Sequence, residues 1–482
     1  MSKSNSIGSG LAWSFAERIT AQLVTTLVGI LLARILEPEH YGIISIVNVL
    51  ITFCNVFVSS GMSSALVQKK AISDRDYNTA FFISLGISLC AYLLLFVTAP
   101  LVAVFYQMDA LTAVIRVMGL RLPLAAINNI QQAHVQREMT FKRFFVATLF
   151  GTVLSGFVGV LLAWRGAGVW ALVAQYLTNT TVDTIVLFFV EKWFPKPNFS
   201  RKSAKEMFSF GWKVLATELV YTTEESIRGL VVGKACGSAD LAYYDQGQKY
   251  PALLVNNLNT AINKVMLPAY SRSQDDLAAL KAMLRKAISV GVFLLCPILI
   301  GFLAVARNFV LVVLTEKWLP CVPMIQVFCI LYLTRPLESA CHQALLAIGR
   351  SDIALRIMIL INISALLLVL VAALGFHSVF LVAVAALLSG FISLIGFMNW
   401  TRKLLDYRLR EQLQDLCPPL LCGIAMGVGV LALGALPLAP LPLLVLQIAA
   451  GIVLYVVLSK LAHLEAMEYL LLQIQKRTRA GE

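Results

Sequence analysis

Long apolar stretches alternate with short polar segments along almost the whole chain. Each stretch is about 20 residues long or longer, which is the length that an α-helix needs to cross the hydrocarbon core of a bilayer. They fall into a group of six in residues 10–190, a second group of six in residues 208–402, and a final pair. The pattern predicts an all-α polytopic membrane protein with about 14 transmembrane helices. The first stretch contains Glu17 and Arg18 and is too long for a signal peptide, so we expect it to remain as the first span.

The two groups of six predicted helices resemble each other at an offset of about 200 residues. The turn at 37–42 occupies the place of the turn at 237–242, and the segment 121–123 parallels the segment 334–336. Such a duplication predicts two pseudo-symmetric lobes of equal membrane orientation around a central cavity. The predicted domains are an N-lobe at 1–190, a cytoplasmic linker at 191–207, a C-lobe at 208–402, and two C-terminal helices with a cytoplasmic tail at 403–482.

Composition supports a membrane protein and narrows its class. Of the 482 residues, 59% are hydrophobic and 13% are charged, with a mean hydropathy of +0.81, whereas soluble domains carry roughly 25% charged residues. The net charge of +13 is spread in short basic clusters between apolar runs, which argues against nucleic-acid binding. The nine cysteines form no paired CxxC spacing, so we interpret them as small apolar residues rather than metal ligands.

The distribution of Lys and Arg predicts the orientation in the membrane. If the N-terminus is cytoplasmic, most of the 39 basic residues lie in cytoplasmic segments. The opposite loops and span ends then hold only Arg34, Arg165, Lys234, Arg307 and Lys317. This is the positive-inside distribution. We therefore expect both termini to be cytoplasmic.

Polar side chains recur at helical spacing within the first, second and fourth predicted spans of each lobe. A charged side chain in hydrocarbon costs roughly 2.5–3.5 kcal/mol, so these residues are expected to face a cavity or a partner. The predicted cationic substrate-binding residues are Arg18, Arg121, Arg228, Lys249 and Arg335. The predicted polar lining comprises Gln22, Asn48, Asn55, Asn128, Gln132, Glu225, Asp245, Asn256 and Asn259.

A purely structural interpretation of the same residues stays open. Glu224 with Arg228, Asp245 with Lys249, and Arg335 with Glu338 are spaced to form salt bridges within one helix. Polar residues between membrane helices can also serve only to hold those helices together.

A cavity rich in Arg and Lys suits an anion. Arginine presents a planar fork to phosphate oxygens and lysine presents a point charge, so a pyrophosphate group is a natural ligand. Amide and hydroxyl side chains on the same faces are suited to hydrogen-bond sugar hydroxyls. The chain has no GxxxxGK[ST] motif and no loop long enough for a nucleotide-binding domain, so we predict no ATP hydrolysis, no metal and no cofactor.

Several segments carry a resemblance to a known family. They are Val67-Gln68-Lys69-Lys70-Ala71-Ile72-Ser73, Gln136-Arg137-Glu138-Met139-Thr140-Phe141, Leu267-Pro268-Ala269-Tyr270-Ser271-Arg272-Ser273-Gln274-Asp275-Asp276 and Glu316-Lys317-Trp318. Through them the chain resembles the Wzx-type polysaccharide flippases of the multidrug/oligosaccharidyl-lipid/polysaccharide (MOP) superfamily, most closely the colanic acid exporter branch.

The resemblance implies a function that is not enzymatic. It implies alternating-access transport of undecaprenyl-pyrophosphate-linked polysaccharide repeat units from the cytoplasmic to the periplasmic leaflet of the bacterial inner membrane. It places Arg18, Arg228 and Lys249 in a cationic lumen by helix position. Beside the lipid-linked glycan and membrane lipids, the expected partners are a coupling ion, Na⁺ or H⁺, a polysaccharide polymerase and a chain-length regulator.

Three other functions remain open on the sequence. A MATE-type drug antiporter shares the lobe count but is expected to have mainly acidic residues in its cavity. A lipid II flippase of the MurJ type shares the span count and the cationic cavity. A membrane glycan polymerase or ligase usually needs a large extracytoplasmic loop, whereas the longest candidate here, at 307–320, is short.

Overall fold

The computed structural model describes residues 20–59, 61–69, 72–138, 141–191, 193–272, 276–470 and 472. Within these residues the chain is helical and contains no β-strand, which confirms the predicted fold class. The first helices are α1 (Thr20–Ile35), α2 (Pro38–Ser59), α3 (Met62–Gln68), α4 (Asp74–Tyr106), α5 (Ala110–Met118), α6 (Arg121–Glu138), α7 (Phe141–Trp164), α8 (Val169–Glu191) and α9 (Arg201–Ala235). The later ones are α10 (Ser238–Arg272), α11 (Leu277–Phe309), α12 (Val322–Tyr332), α13 (Arg335–Ala347), α14 (Ser351–Leu370), α15 (Val379–Leu405), α16 (Leu409–Leu433) and α17 (Pro440–Leu461).

Eleven helical segments among the described residues are long and apolar enough to cross a membrane. Three of them, 38–68, 110–138 and 316–347, each contain two α-helices. The other three predicted spans correspond to α1, α9 and α10. Helix α1 is described only over Thr20–Ile35, and α9 and α10 carry the polar stripes that lower their hydropathy. The count of 14 spans therefore stays a prediction.

The chain forms two compact units, whose boundary lies between Ala242 and Tyr243 near the start of α10. Helix α9 belongs to the first unit and packs along α2, α3 and α4. Gly61 and Gly211 allow this approach, because a Cβ on Gly211 would lie 2.7 Å from the Gly61 carbonyl oxygen. The lobe boundaries at 190 and 208 were predicted from the sequence repeat, and they stay a prediction.

An ion cluster in the first unit ties three helices together at their predicted cytoplasmic ends. The Lys69 ammonium donates to Asp76 Oδ1 at 2.9 Å and to Glu206 Oε2 at 3.0 Å. The hydrogen bond to Asp76, together with that to Glu206, raises the pKa of Lys69. Asp76 also caps α4 by accepting hydrogen bonds from the backbone nitrogen and the hydroxyl of Ser73. The cluster therefore joins the ends of α3, α4 and α9.

The polar linker before α9 is fixed to the start of α4. The backbone nitrogen of Lys196 donates to Asn78 Oδ1 at 2.8 Å, and that of Ser200 donates to Thr79 Oγ1 at 3.0 Å. Both acceptor residues are buried. The linker is thus part of the first unit.

Half-buried polar contacts join two long helices of the second unit. The Arg285 guanidinium forms two hydrogen bonds, of 2.8 and 2.9 Å, with the Asp415 carboxylate, joining α11 to α16. The Tyr407 hydroxyl donates to the same carboxylate at 2.6 Å. Burial, and then this hydrogen bond, raise the pKa of Tyr407.

The last two helices are attached to α11 by a second polar link. The Asn308 amide donates to Gln447 Oε1 at 2.8 Å, and the Gln447 amide donates to the Val430 carbonyl at 3.0 Å. Because Gln447 is almost fully buried, these bonds satisfy an amide that would otherwise be costly to bury.

Candidate anion-binding site

The break between α5 and α6 places a helix N-terminus inside an apolar segment. Gly119 and Leu120 separate the two helices, and α6 begins at Arg121 with Pro123 in its first turn. Proline is tolerated there because the first-turn N–H groups have no partner within the helix. Gly119 permits close approach to α4, since a Cβ at this position would lie 2.9 Å from the Tyr92 ring. The break is a local kink, because the N–H groups of Leu122 and Leu124 still donate to the carbonyls of Gly119 and Leu120.

Arg121 lies at this N-terminus and is only partly satisfied by its neighbours. Its Nη1 donates to Asn48 Oδ1 on α2 at 2.9 Å. The centre of the guanidinium lies 4.7 Å from the centroid of the Tyr176 ring on α8, within the range of a cation–π contact. The Nε atom is buried and has no hydrogen-bond partner. The side chain therefore keeps an unused donor.

A cavity of about 370 Å³ surrounds Arg121 within the first unit. The size falls in the range of small-ligand pockets. Its apolar wall is formed by Ile51, Leu122 and Ala125. Its polar wall is formed by Asn48, Thr52, Asn55, Arg121, Tyr176 and Thr180.

The polar wall carries one positive charge. None of the described residues that line the cavity is an Asp, Glu or Lys. The acid nearest along α8, Asp183, lies instead against α7, where a Cβ on Gly151 would be 2.7 Å from its carboxylate. Asn55 adds a buried side-chain oxygen that accepts no hydrogen bond. The cavity thus contains a single cation, while the Arg121 Nε and the Asn55 oxygen beside it are buried without a hydrogen-bond partner.

Three predicted site residues, Arg121, Asn48 and Asn55, meet in this cavity. Two others on α6 lie further along the helix, where Gln132 donates to Asn128 Oδ1 and Asn128 donates to Thr184 Oγ1 at 3.4 Å. These amides satisfy one another and do not line the cavity. Gln22 donates to Thr26 within α1 at 3.4 Å.

The second unit contains an equivalent break with a different charge balance. Helix α13 begins with Arg335-Pro336, directly after Leu333 and Thr334. Arg335 Nη1 lies 3.6 Å from Glu338 Oε2, and its side chain is 48% exposed. The Glu338 carboxylate also accepts a hydrogen bond from the Thr334 hydroxyl at 2.6 Å. The intrahelical salt bridge predicted as the structural alternative is therefore present, and it neutralises this cation.

The remaining predicted residues lie elsewhere. Lys249 and Asp245 are half-buried on α10, with the Lys249 ammonium 5.8 Å from the centroid of the Tyr250 ring. Asn256 and Glu225 are exposed, and Asn259 and Arg228 are half-buried. Arg18 lies outside the described residues. The role of all these residues in one cavity between lobes stays a prediction.

Tyr176 and Thr180 line the cavity from a helix that the sequence analysis did not assign to the site. They are four residues apart on α8 and so share one helix face. Polar residues recur between Gln175 and Thr184 in the middle of this span, and this was the available signal.

Comparisons with known proteins place the chain in a family. Residues 31–323 match the model of a family described as "Polysaccharide biosynthesis protein". The match covers more than half of the chain, and the protein belongs to this family.

Two curated relatives extend the match along the chain. The teichuronic acid biosynthesis protein TuaB of Bacillus subtilis is 25% identical over 433 residues, covering 88% of both chains. The lipopolysaccharide biosynthesis protein WzxC of Escherichia coli is 24% identical over 354 residues, covering 72% of this chain and 71% of that protein. The resemblance to Wzx-type proteins is therefore confirmed.

Solved structures share the fold. The lipid II flippase MurJ, in an inward closed conformation, superposes with a TM-score of 0.77 at 14% identity, covering 94% of this chain and 98% of that one. An inward-facing MATE transporter of the MOP superfamily gives a TM-score of 0.60 at 15% identity, covering 82% and 98%. These likenesses show the MOP fold.

Proposed function

We propose that the protein is a flippase that moves undecaprenyl-pyrophosphate-linked polysaccharide repeat units from the cytoplasmic to the periplasmic leaflet by alternating access. Membership of the polysaccharide biosynthesis family and the MOP fold support a transporter rather than an enzyme. The relative ExoT of Rhizobium meliloti, 25% identical over 288 residues, bears the name succinoglycan biosynthesis transport protein. On this proposal the protein is a multi-pass inner-membrane protein with both termini cytoplasmic.

The observation that carries the proposal is the partly satisfied Arg121 at a helix break inside an apolar segment. A half-buried guanidinium without an acid among the described residues of its pocket favours an anion and disfavours the organic cations that a MATE-type drug antiporter expels. The amide and hydroxyl groups beside Arg121 are suited to hydrogen-bond a glycan.

The membrane potential can supply the driving force. If about two net negative charges move outward without compensation across about 100 mV, inside negative, the field favours export by roughly 4–5 kcal/mol. The prenyl tail stays in lipid, and only the head group enters the protein. A coupling Na⁺ or H⁺ is then needed only to reset the carrier.

The test is leaflet-to-leaflet transfer in liposomes that hold purified protein and a fluorescent pyrophosphate-linked oligosaccharide. We expect transfer by the wild type and at least a tenfold slower rate for Arg121→Gln. Arg116→Gln is the matched control, because Arg116 is an arginine of the same segment that lies over the Phe96 ring at 4.4 Å and does not line the pocket. The absence of transfer by the wild type, with an imposed potential and with Na⁺ or H⁺ gradients, would refute the proposal.

A further inference from the structure

The first turns of α9 carry basic and aromatic side chains on one exposed face. Four exposed residues follow one another there at steps of four, three and four positions, which keeps them on one face of the helix. They are Arg201, Lys205, Phe208 and Trp212, and we call them the α9 stripe. The two rings are 60% and 51% exposed, respectively. The stripe is therefore basic where α9 begins and aromatic further along the helix.

The other face of this part of α9 is packed against the first unit. Ser203, Met207 and Gly211, spaced four residues apart, are buried, and Gly211 packs against the backbone of Gly61. The linker before α9 is bound to α4 by the two backbone hydrogen bonds described above. Because the buried face and the preceding linker are both fixed, the stripe is held in one position at the surface of the unit.

The α9 stripe carries two positive charges and no negative charge. The acid within 201–212 is Glu206, and its carboxylate is bound by Lys69 at 3.0 Å. Among the described residues neither Arg201 nor Lys205 takes part in an ion pair. Side chains four residues apart on a helix have Cβ atoms roughly 5–6 Å apart. Both cations can therefore contact the same phosphate group.

The order of the residues along α9 matches the depth profile of a phospholipid. A rise of about 1.5 Å per residue places Phe208 and Trp212 roughly 5 and 10 Å beyond Lys205. This direction leads from the polar linker into the predicted span, and aromatic rings are favoured at the level of the lipid glycerol groups. A soluble phosphate would contact the cations alone and leave both rings uncovered. The combination favours a lipid over a free phosphate.

We infer that the α9 stripe binds the head group of an anionic phospholipid of the surrounding bilayer. The phosphodiester lies between Arg201 and Lys205, and the glycerol and first acyl carbons lie along Phe208 and Trp212. Basic clusters at the end of a span are typical binding places for anionic head groups. A ligand that binds only the folded protein raises its unfolding temperature, so the bound lipid stabilises the protein.

Thermal unfolding of the full-length protein in lipid nanodiscs tests the inference. Discs of phosphatidylcholine are compared with discs that also contain phosphatidylglycerol, which is the anionic probe. We expect phosphatidylglycerol to raise the unfolding midpoint of the wild type by a few degrees. The double variant Arg201→Gln/Lys205→Gln should lose most of this rise. Lys196→Gln/Lys202→Gln is the matched control, because it removes two exposed cations of the same segment that lie outside the stripe.

Native mass spectrometry of the protein–lipid complexes measures binding directly. We expect phosphatidylglycerol to bind at least tenfold more weakly to the double variant than to the wild type. Trp212→Gln should also weaken this binding, although it leaves both cations in place. Trp164→Gln is its control, because Trp164 is 80% exposed at the end of α7 and lies outside the stripe. Glycerophosphoglycerol, the soluble head group without acyl chains, should not displace the lipid.

Three results would overturn the inference. The first is an equal unfolding midpoint in the two kinds of disc, which would leave the stripe as a belt without head-group preference. The second is an equal loss of lipid binding in the stripe variants and in their controls. The third is displacement of the lipid by glycerophosphoglycerol, which would assign the cations to a free phosphate. If the double variant does not fold, Trp212→Gln against Trp164→Gln decides between the same outcomes.

Discussion

Gly42 packs directly against the backbone of Ser238. A Cβ on Gly42 would lie 1.8 Å from the Ser238 carbonyl oxygen. These residues stand at the N-terminal ends of α2 and α10. The turns that contain them, 37–42 and 237–242, are the two that the proposed repeat matches with each other. Turns matched by the repeat are therefore in direct contact, and only glycine fits on the α2 side.

Gly42→Ala should destabilise the protein because the added methyl group meets a backbone atom that cannot move away easily. We expect a loss of about 1–3 kcal/mol in the free energy of unfolding, typical of overpacking. The measurement is the thermal unfolding midpoint in detergent. Gly86→Ala on α4 is the control, since nothing lies within 4 Å of its added Cβ. An equal response of the two variants would contradict the close contact.

The two carboxylates bound by Lys69 should differ in importance. Asp76 is buried and also caps α4, so we expect Asp76→Asn to cost about 1–3 kcal/mol. The side chain of Glu206 is 48% exposed, and Glu206→Gln should cost less than about 1 kcal/mol. Denaturant unfolding of the two variants checks the order, and a larger effect at Glu206 would show that the order is wrong.

The Lys69 ion pairs should also give a pH dependence. Because the pKa of Lys69 is raised in the folded protein, its contribution is complete below the ordinary lysine pKa and is lost as the pH rises through the folded value. The stability difference between wild type and Lys69→Met should therefore shrink at strongly alkaline pH. Unfolding midpoints from neutral to alkaline pH measure it. Lys205→Met, at an exposed neighbour of Glu206, should show no such convergence.

Arg335 and Glu338 should behave as a coupled pair. Arg335→Ala leaves the buried Glu338 carboxylate without its cation, so we expect a loss of about 1 kcal/mol, modest because Arg335 is half exposed. Arg335→Ala combined with Glu338→Gln should recover part of that loss, because the buried charge is then absent. A double-mutant cycle in unfolding measurements gives the coupling, and strictly additive effects would exclude it.

The predicted orientation can be mapped directly. Alkaline phosphatase fused within 107–112 should be active, because this loop is predicted to be periplasmic, whereas a fusion within 193–200 should be inactive. Activity of the fusion within 193–200 together with inactivity of the fusion within 107–112 would show that the orientation is the reverse of the predicted one. Equal expression of both fusions, checked by immunoblot, is the required control.

Much of the fold could be predicted from hydrophobic periodicity, because membrane spans need long apolar helices. The helix breaks before Arg121 and Arg335 were not predicted, although Pro123 and Pro336 signalled them. A proline at such a position is compatible with a continuous helix or with the start of a new helix. Which of the two forms depends on packing, such as that of Gly119 against Tyr92.

The candidate site was predictable in part for a similar reason. Helical spacing identified Asn48, Asn55 and Arg121 as polar positions on apolar helices. It could not show that Arg121 meets Tyr176, because that contact joins residues 55 positions apart in the sequence. Nor could spacing show that Arg121 is paired with an amide, whereas Arg335 lies 3.6 Å from a carboxylate.

The single fixed positive charge in the Arg121 pocket has a consequence for how a substrate enters the pocket. A guanidinium in a cavity of about 370 Å³ has room beside it for water and a small inorganic anion. On the proposed flippase function, an arriving anionic substrate would displace that counterion, and loading would become an exchange of anions, as on an ion-exchange resin. The apparent affinity for that substrate would then fall as chloride or phosphate in the surrounding solution rises, and the buffer anion would become a variable of every transport assay.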